Sequence, residues 1–283
     1  FGIAPRINAA GRIEHGKRAV QLLIETNESK AKDFAEGIEN HNTERKELDQ
    51  NITNEALEMI DDSKKSTVVY SSDWHKGVVG IVASRLIENY YKPTIVLSEK
   101  DGELTGSARS VKGFNLYDAL LQCEHLLEKF GGHKYAAGLT LKKENLRTFI
   151  DEFEKVVSRT ITTDQLVAEI EVDLEIDIDE VDDKLYRIIK QFAPFGPKNR
   201  TPNFVSKKVT DCGWGKKVGE EKTHLRLVLN TSTEKITAIG FRMADYFEKT
   251  TEKKTFNICY AIDENTWNGK TSLQLRLKGI KSS

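Results

Sequence analysis

Between Glu28 and Ile60 the chain carries no proline, and its apolar residues Ala31, Phe34, Ala35, Ile38, then Leu48, Ile52, Ala56, Met59 and Ile60 follow mostly three- and four-residue steps. That is the spacing of one face of an α-helix. As one helix the segment would reach about 50 Å at the usual rise per residue. Polar residues fill Glu39 to Glu47, and a long helix with a polar middle usually bridges two bodies. Two shorter helices broken near His41-Asn42-Thr43 are the alternative. A chain of 283 residues has room for two or three domains on either side of such a divider.

Before it, Ile3–Asn27 contains Pro5, two glycines and little period until Ala19–Ile24. After it, elements alternate. TVVYS at Thr67–Ser71 reads as a buried strand and Gly77–Tyr91 as a helix with Val78, Ile81, Val82, Leu86 and Ile87 on its apolar face. Pro93 opens a strand TIVLS, closed by an Asp101-Gly102 turn. Asn115–Phe130 has helical spacing, Gly138–Leu141 reads as a strand and Glu144–Thr160 as a helix. Strands alternating with helices imply an α/β unit.

The last third differs. Ala168–Asp179, AEIEVDLEIDID, alternates acid and aliphatic residues, the period of a half-buried strand with a solvated acidic face. Asp182–Phe192 has helical spacing, and APFGPKNRTP then breaks all regularity. Beyond it lie five strand candidates, Asn203–Cys212, His224–Asn230, Lys235–Phe241, Thr255–Ile262 and Ser272–Ile280, the pattern of a small OB-type barrel. The net charge of −1 conceals a polarity: Asp151–Lys184 holds 13 acidic and 3 basic residues, whereas Lys190 to the end holds 18 basic and 9 acidic. A basic β-module fits a polyanion partner; solvated lysines protecting sheet edges are the alternative.

No apolar run approaches the length of a membrane span. Cys123, Cys212 and Cys259 are scattered and form no C-x-x-C pair, so neither zinc nor a disulfide framework is indicated and a reducing cytoplasm is expected. The chain opens on Phe1 with no signal-type leader, as expected of a piece of a longer chain.

Two short blocks have the make-up of phosphate sites. In GSARS, Gly106 permits an irregular turn, Ser107 and Ser110 bring hydroxyls, and Arg109 brings a planar fork for phosphate oxygens; an Arg109–carboxylate pair with the serines capping a loop is the structural alternative. In FGGHKYAAGLTL, Gly131 and Gly132 allow a tight turn with His133 and Lys134 at its tip, where backbone N–H groups and side chains could meet one phosphate. For single-strand binding, stacking aromatics should share a surface with cations. Trp214, between glycines and followed by Lys216-Lys217, is the first candidate, with Arg226 beside it, and Trp267 the second. Each Trp could instead plug the end of a barrel.

Together with FGIAPRINAAGRI (Phe1–Ile13) and WHKGVVGIVASRL (Trp74–Leu86), these blocks stand in the order and rough spacing of one family. The chain resembles RecJ, the single-strand-specific 5′-to-3′ exonuclease of the DHH phosphoesterase superfamily. The resemblance implies an α/β DHH-associated domain, preceded by a long connector helix and followed by an OB-type β-barrel. It divides the chain into the end of the DHH catalytic domain (1–27), the connector (28–62), the DHH-associated domain (63–162) and the OB-type domain (163–283). It implies that Ser107, Arg109 and Ser110 hold the 5′ end of a strand, and that His133, with Gly131, Gly132 and Lys134, meets the phosphate under attack. Arg6, Asn8 and Arg12 would lie near a domain junction, and His75 would line the cleft or cap the next helix.

The resemblance also implies manganese or magnesium, held by Asp and His residues of a DHH domain. This sequence has no Asp-His-His triplet, and its six histidines (His15, His41, His75, His125, His133, His224) lack ligand spacing, so no metal ligand is assigned to it. The reading is therefore the substrate-binding portion of a single-stranded DNA exonuclease acting in DNA repair and recombination. It would work as a monomer beside a single-strand-binding protein and a helicase. A DHH-type phosphoesterase for short oligonucleotides or cyclic dinucleotides, or a non-catalytic single-stranded DNA-binding adaptor, are the alternatives.

Overall fold

A computed structural model describes residues 2–251 and 254–282; Phe1 of the opening block lies outside them. The chain forms two compact units, Phe1–Ala168 and Glu169–Ser283.

In the first unit, α1 (Ile3–Ile13) and α2 (Lys17–Ile24) pack on α3 (Glu28–Glu58). Helix α1 lies where the sequence shows little period. Pro5 is in its first turn, where its missing N–H costs nothing. Asn27 caps α3, its Oδ1 accepting from the Lys30 N–H at 3.1 Å. The helix runs 31 residues without a break, so the alternative of two shorter helices is wrong. Its polar middle is not simply solvated. Asn42 and Asp49 are buried. Asp49 accepts two bonds of 2.7 Å from Arg85, Glu39 pairs with Arg6 of α1, and His41 lies 3.7 Å from Glu14. The apolar ends serve different partners: Ile38 meets Ala10 and Ala19, whereas Ile52 and Ala56 meet Trp74, Val78 and Val79.

The rest of this unit is β1 (Thr67–Ser71), α4 (Val79–Tyr90), β2 (Thr94–Lys100), β3 (Glu103–Arg109), α5 (Leu116–Gln122), β4 (Lys129–His133), β5 (Ala136–Lys142) and α6 (Leu146–Thr160). The sheet order is β1-β2-β3-β5-β4, with β1 and β2 parallel across α4 and the other pairs antiparallel. One sheet face carries Ile95, Leu97, Leu104, Ala108, Leu139 and Leu141 into a core with Phe149 and Phe153 of α6. The opposite face sends Val69 and Val96 against Val82, Ala83 and Leu86 of α4.

Two expectations fail here. The helix expected over Asn115–Phe130 stops at Gln122; after one short turn the chain becomes β4. Pairing with β5 satisfies backbone groups that a helix through two glycines would hold poorly. GSARS is not an irregular turn, because Gly106 sits in regular β3. A Cβ there would lie 2.4 Å from the Val96 carbonyl oxygen, so close strand approach is what calls for glycine.

The second unit contains β6 (Leu174–Glu175), α7 (Asp183–Lys190), β7 (Phe204–Val209), β8 (Lys216–Val218), β9 (His224–Asn230), β10 (Lys235–Gly240), α8 (Phe247–Thr250), β11 (Phe256–Trp267) and β12 (Lys270–Ser282). They make one sheet in the order β6-β7-β11-β12-β10-β9-β8. The five expected strands are present with two short additions, and no pairing between β6 and β8 closes the sheet into a barrel. Leu225, Leu227, Leu229, Phe256, Tyr260 and Leu275 fill the concave core. The acidic alternation does not make a long strand. Only Leu174–Glu175 pairs, Ile170, Val172 and Leu174 are exposed, and Ile176 and Ile178 are buried. Reciprocal capping between Asp177 and Glu180 turns the chain into a short helical turn. Among the described residues no helix is long and apolar enough to cross a membrane.

Candidate nucleic-acid interface

Strand register brings GSARS and the glycine-histidine block together. Arg109 pairs with Ala136 and Ala136 with His133; one step along, Ser107 pairs with Gly138 and Gly138 with Gly131. Directly paired residues face the same side of a sheet, here the side on which α4 packs. The two rows place Ser107 and Arg109 on one flank, Gly131 and His133 on the other, and Gly138 and Ala136 between. Cβ atoms added at Gly131 and Gly138 would meet nothing closer than 3.9 Å. The floor of this face is therefore bare backbone at these two glycines, open to close approach by a ligand.

Arg109 is half-buried and donates to Ser107 Oγ at 2.7 Å and to the Ala108 carbonyl at 2.9 Å. It has no carboxylate partner among the described residues. Burial, and then the nearby Arg12 guanidinium, push its pKa below the usual arginine value. The first turn of α4 adjoins the same corner: a Cβ on Gly80 would lie 3.1 Å from Arg109 Nη2 and 3.2 Å from Ser107 Oγ. Val78 gives this helix no side-chain cap. Two guanidiniums beside a helix N-terminus repel one another and the helix dipole, an arrangement that an anion relieves. The carboxylate-pair alternative for Arg109 is thus absent. Gly80 and Gly138 escaped sequence reasoning, although the glycine inside VVGIVAS was a legible signal.

The glycines are not the turn itself. Gly131, Gly132 and His133 end strand β4, and Lys134-Tyr135 make the turn. Gly132 has φ of +150°, and a Cβ there would lie 2.3 Å from the Ala136 carbonyl oxygen. His133 is exposed, its Nδ1 accepting from the Tyr135 N–H at 3.2 Å. The turn is tied down by Ser110 N–H to the Tyr135 carbonyl at 3.0 Å and Leu116 N–H to the Lys134 carbonyl at 3.0 Å. Ser110 Oγ donates to the Phe114 carbonyl at 3.0 Å, a loop-bracing role.

Other candidates separate. Arg6 is paired with Glu39 and donates to the Gly2 carbonyl, and Asn8 is exposed on α1. Arg12 donates to the Gly77 carbonyl at 3.2 Å. His75 caps the turn into α4, with Nδ1 accepting from the Gly77 N–H at 3.1 Å.

In the second unit Trp214 is 62 % exposed and Trp267 74 % exposed at the tip of the β11–β12 hairpin, so neither plugs a core. Lys235 lies over the Trp214 ring at 4.0 Å, a partner the sequence did not suggest. The buried Asp211 carboxylate shapes the loop, accepting from the N–H groups of Gly213, Gly215 and Val228 at 2.7, 3.0 and 2.8 Å. Lys216 and Arg226 stand opposite each other on β8 and β9. Lys217 does not join them: it pairs with core residue Leu225 in register and lies over Phe247. Arg276 shares the cross-strand row of Lys216 and Arg226 through Ile239 and stacks on Phe241 at 5.6 Å.

The family model for the DHHA1 domain matches residues 63–159, and that for the RecJ OB domain matches 172–279. The chain carries a DHHA1 domain and a RecJ OB domain. It is 34 % identical to the single-stranded-DNA-specific exonuclease RecJ of Bacillus subtilis over 98 % of this chain and 36 % of that protein. Against RecJ of Haemophilus influenzae identity is 30 % over 99 % of this chain and 51 % of that one. The crystal structure of Thermus thermophilus RecJ with Mn2+ matches in fold, with a TM-score of 0.85 and 24 % identity over 100 % of this chain and 41 % of that one. The chain thus spans about a third to a half of these RecJ proteins and corresponds to their C-terminal DHHA1 and OB portion. Among the described residues no group of three or more His, Cys, Asp or Glu side chains is arranged to hold a metal ion. Two T. thermophilus RecJ crystal structures hold Mn2+ or Mg2+, and the described side chains of this chain include no set that fits either ion.

Proposed function

We propose that this chain is the strand-binding portion of a single-strand-specific DNA exonuclease that degrades from the 5′ end. The observation that carries the proposal is Arg109, half-buried without a carboxylate partner among the described residues, beside Ser107, Arg12 and the first turn of α4. A terminal phosphate supplies the negative charge and the several acceptor oxygens that this corner lacks. The low floor of Gly131, Gly138 and the small Ala136 lets the next sugar-phosphate cross the sheet toward His133, which stands where it can donate to a phosphate. Trp214, with Lys216 and Arg226, offers stacking and charge to the rest of the strand. No hydrolytic step is assigned to these side chains. In the whole enzyme, manganese or magnesium held by a DHH domain would activate water for phosphodiester hydrolysis in DNA repair and recombination. We assign it a cytoplasmic, monomeric setting with a single-strand-binding protein and a helicase as partners.

Fluorescence anisotropy of a labelled oligothymidine, with and without a 5′-phosphate, tests the reading on the 283-residue chain. Single strand should bind more tightly than duplex, with affinity falling steeply in salt, and the 5′-phosphate should add affinity that Arg109→Ala removes. Equal binding of duplex and single strand, or no response to the phosphate, would overturn it.

A further inference from the structure

The proline-rich segment Ala193–Phe204 follows α7. In the structure it forms one wall of a cleft of about 500 Å³, between α7 and the β11–β12 hairpin. Asn199 fixes its shape: Nδ2 donates to the Phe192 carbonyl at 2.9 Å and to the Pro194 carbonyl at 3.0 Å, and Gly196 and Asn199 exchange backbone bonds. Phe195, within the braced segment, and Tyr186 of α7 both line the cleft. The floor comes from Ala261 and Ile262 of β11 and from Arg276 and Lys278 of β12. Strand alternation buries Leu275 and Leu277 and leaves Arg276 and Lys278 exposed between and beside them, both lining the cleft.

The charges are unequally satisfied. Lys190 is bound to Glu264 at 2.7 Å, and Arg200 to Glu171 at 3.2 Å. Arg276 and Lys278 have no carboxylate partner among the described residues, and Asp263 is the one acid lining the cleft. Two cations without carboxylate partners and two aromatic side chains lining one cleft of this size match one ligand chemistry. We infer that this cleft holds one unpaired nucleotide of a DNA strand, its base against Phe195 and Tyr186 and its phosphate on Arg276 and Lys278. The inference rests on the strand-binding reading of this unit and adds a subsite apart from Trp214. A paired base has its faces stacked in the helix, so the cleft selects single strands.

The test uses the 283-residue chain and a labelled oligothymidine. Phe195→Leu keeps the apolar packing and removes the ring; it should weaken binding about 5- to 150-fold, the range for loss of one stacked base. Arg276→Gln with Lys278→Gln should reduce the slope of log affinity against log salt by about 0.7, for one neutralised phosphate of a single strand. Photocrosslinking of a 5-iododeoxyuridine oligonucleotide should label a peptide containing Tyr186 or Phe195. Thymidine 5′-monophosphate should compete only weakly, and full displacement of the strand from this site by it would reassign the cleft to free nucleotide. Wild-type binding and salt slope in the cleft variants, alongside weakened binding in Trp214→Ala, would overturn the subsite alone. Failure of the unaltered chain to prefer single strands would overturn the reading beneath it.

Discussion

Arg109 and His133 flank Ala136 on one cross-strand row of the first sheet and face the same side of it. At the usual strand spacing their backbones are about 10 Å apart, a distance that the two side chains and one nucleotide can span.

In the whole enzyme, Arg109→Ala should weaken use of 5′-phosphorylated ends by about 10- to 150-fold, the worth of a charge-assisted bond. His133→Ala should slow turnover by about 100-fold or more if it donates to developing charge. His133 is exposed, so its variant should keep the parent melting temperature. Steady-state kinetics with and without the 5′-phosphate, together with thermal melts, checks both. Normal turnover per folded molecule would make either residue structural.

The glycines should divide into two kinds. Gly131→Ala meets open space, so the protein should fold normally while strand binding falls. Gly106→Ala and Gly132→Ala place a Cβ 2.4 and 2.3 Å from carbonyl oxygens and should destabilise by about 1–3 kcal/mol or more, as overpacking does. Urea unfolding and oligonucleotide anisotropy on the same three variants separate the two effects.

Trp214→Ala should weaken oligothymidine binding about 5- to 150-fold with little change in stability, because the ring is exposed. Asp211→Ala should do both, since it leaves three backbone N–H groups without their acceptor at about 1–3 kcal/mol for each that stays buried. Tryptophan fluorescence quenching by oligothymidine, with a melt of each variant, reads out the difference.

Glu154 ties α6 to the start of β1, accepting from the N–H groups of Lys65 and Ser66 and from the hydroxyls of Ser66 and Ser158. Burial alone would raise its pKa; those bonds outweigh burial and lower it from 4.5. A depressed folded-state pKa contributes stability that is present above the unfolded value and lost as pH falls through the folded one. Melting temperature should therefore drop below about pH 4.5, and Glu154→Gln should lose part of that dependence. At neutral pH the variant should melt about 2–4 °C lower, for roughly one kcal/mol in a protein of this size. Identical acid profiles would remove Glu154 from the account.

Local pattern alone determined the long helix, the alternation of β1, α4 and β2, and the strands of the basic module. In these, apolar period and turn residues agree with the pairing partners that eventually appear. The same pattern misled wherever a partner decided the outcome. Asn115–Phe130 has helical spacing, yet its end from Lys129 lies beside β5, whose backbone completes its hydrogen bonds. The alternating segment before Asp177 pairs in strand register with only two residues of β7 and then turns under its own caps.

The candidate site divides the same way. Ser107, Arg109, Gly131 and His133 were legible as residue types suited to phosphate. Their meeting depends on β5 lying between β3 and β4, a long-range pairing that no local spacing records. Lys216 and Lys217 look equivalent in sequence, but strand alternation sends them to opposite faces, one beside Arg226 and one over Phe247. Arg276 and Lys278 were invisible as site residues, because the cleft they line is completed by Tyr186 and Phe195 from distant segments. Chemistry was written in residue identity. Which chemistries share one surface was decided by register, which depends on both strands at once.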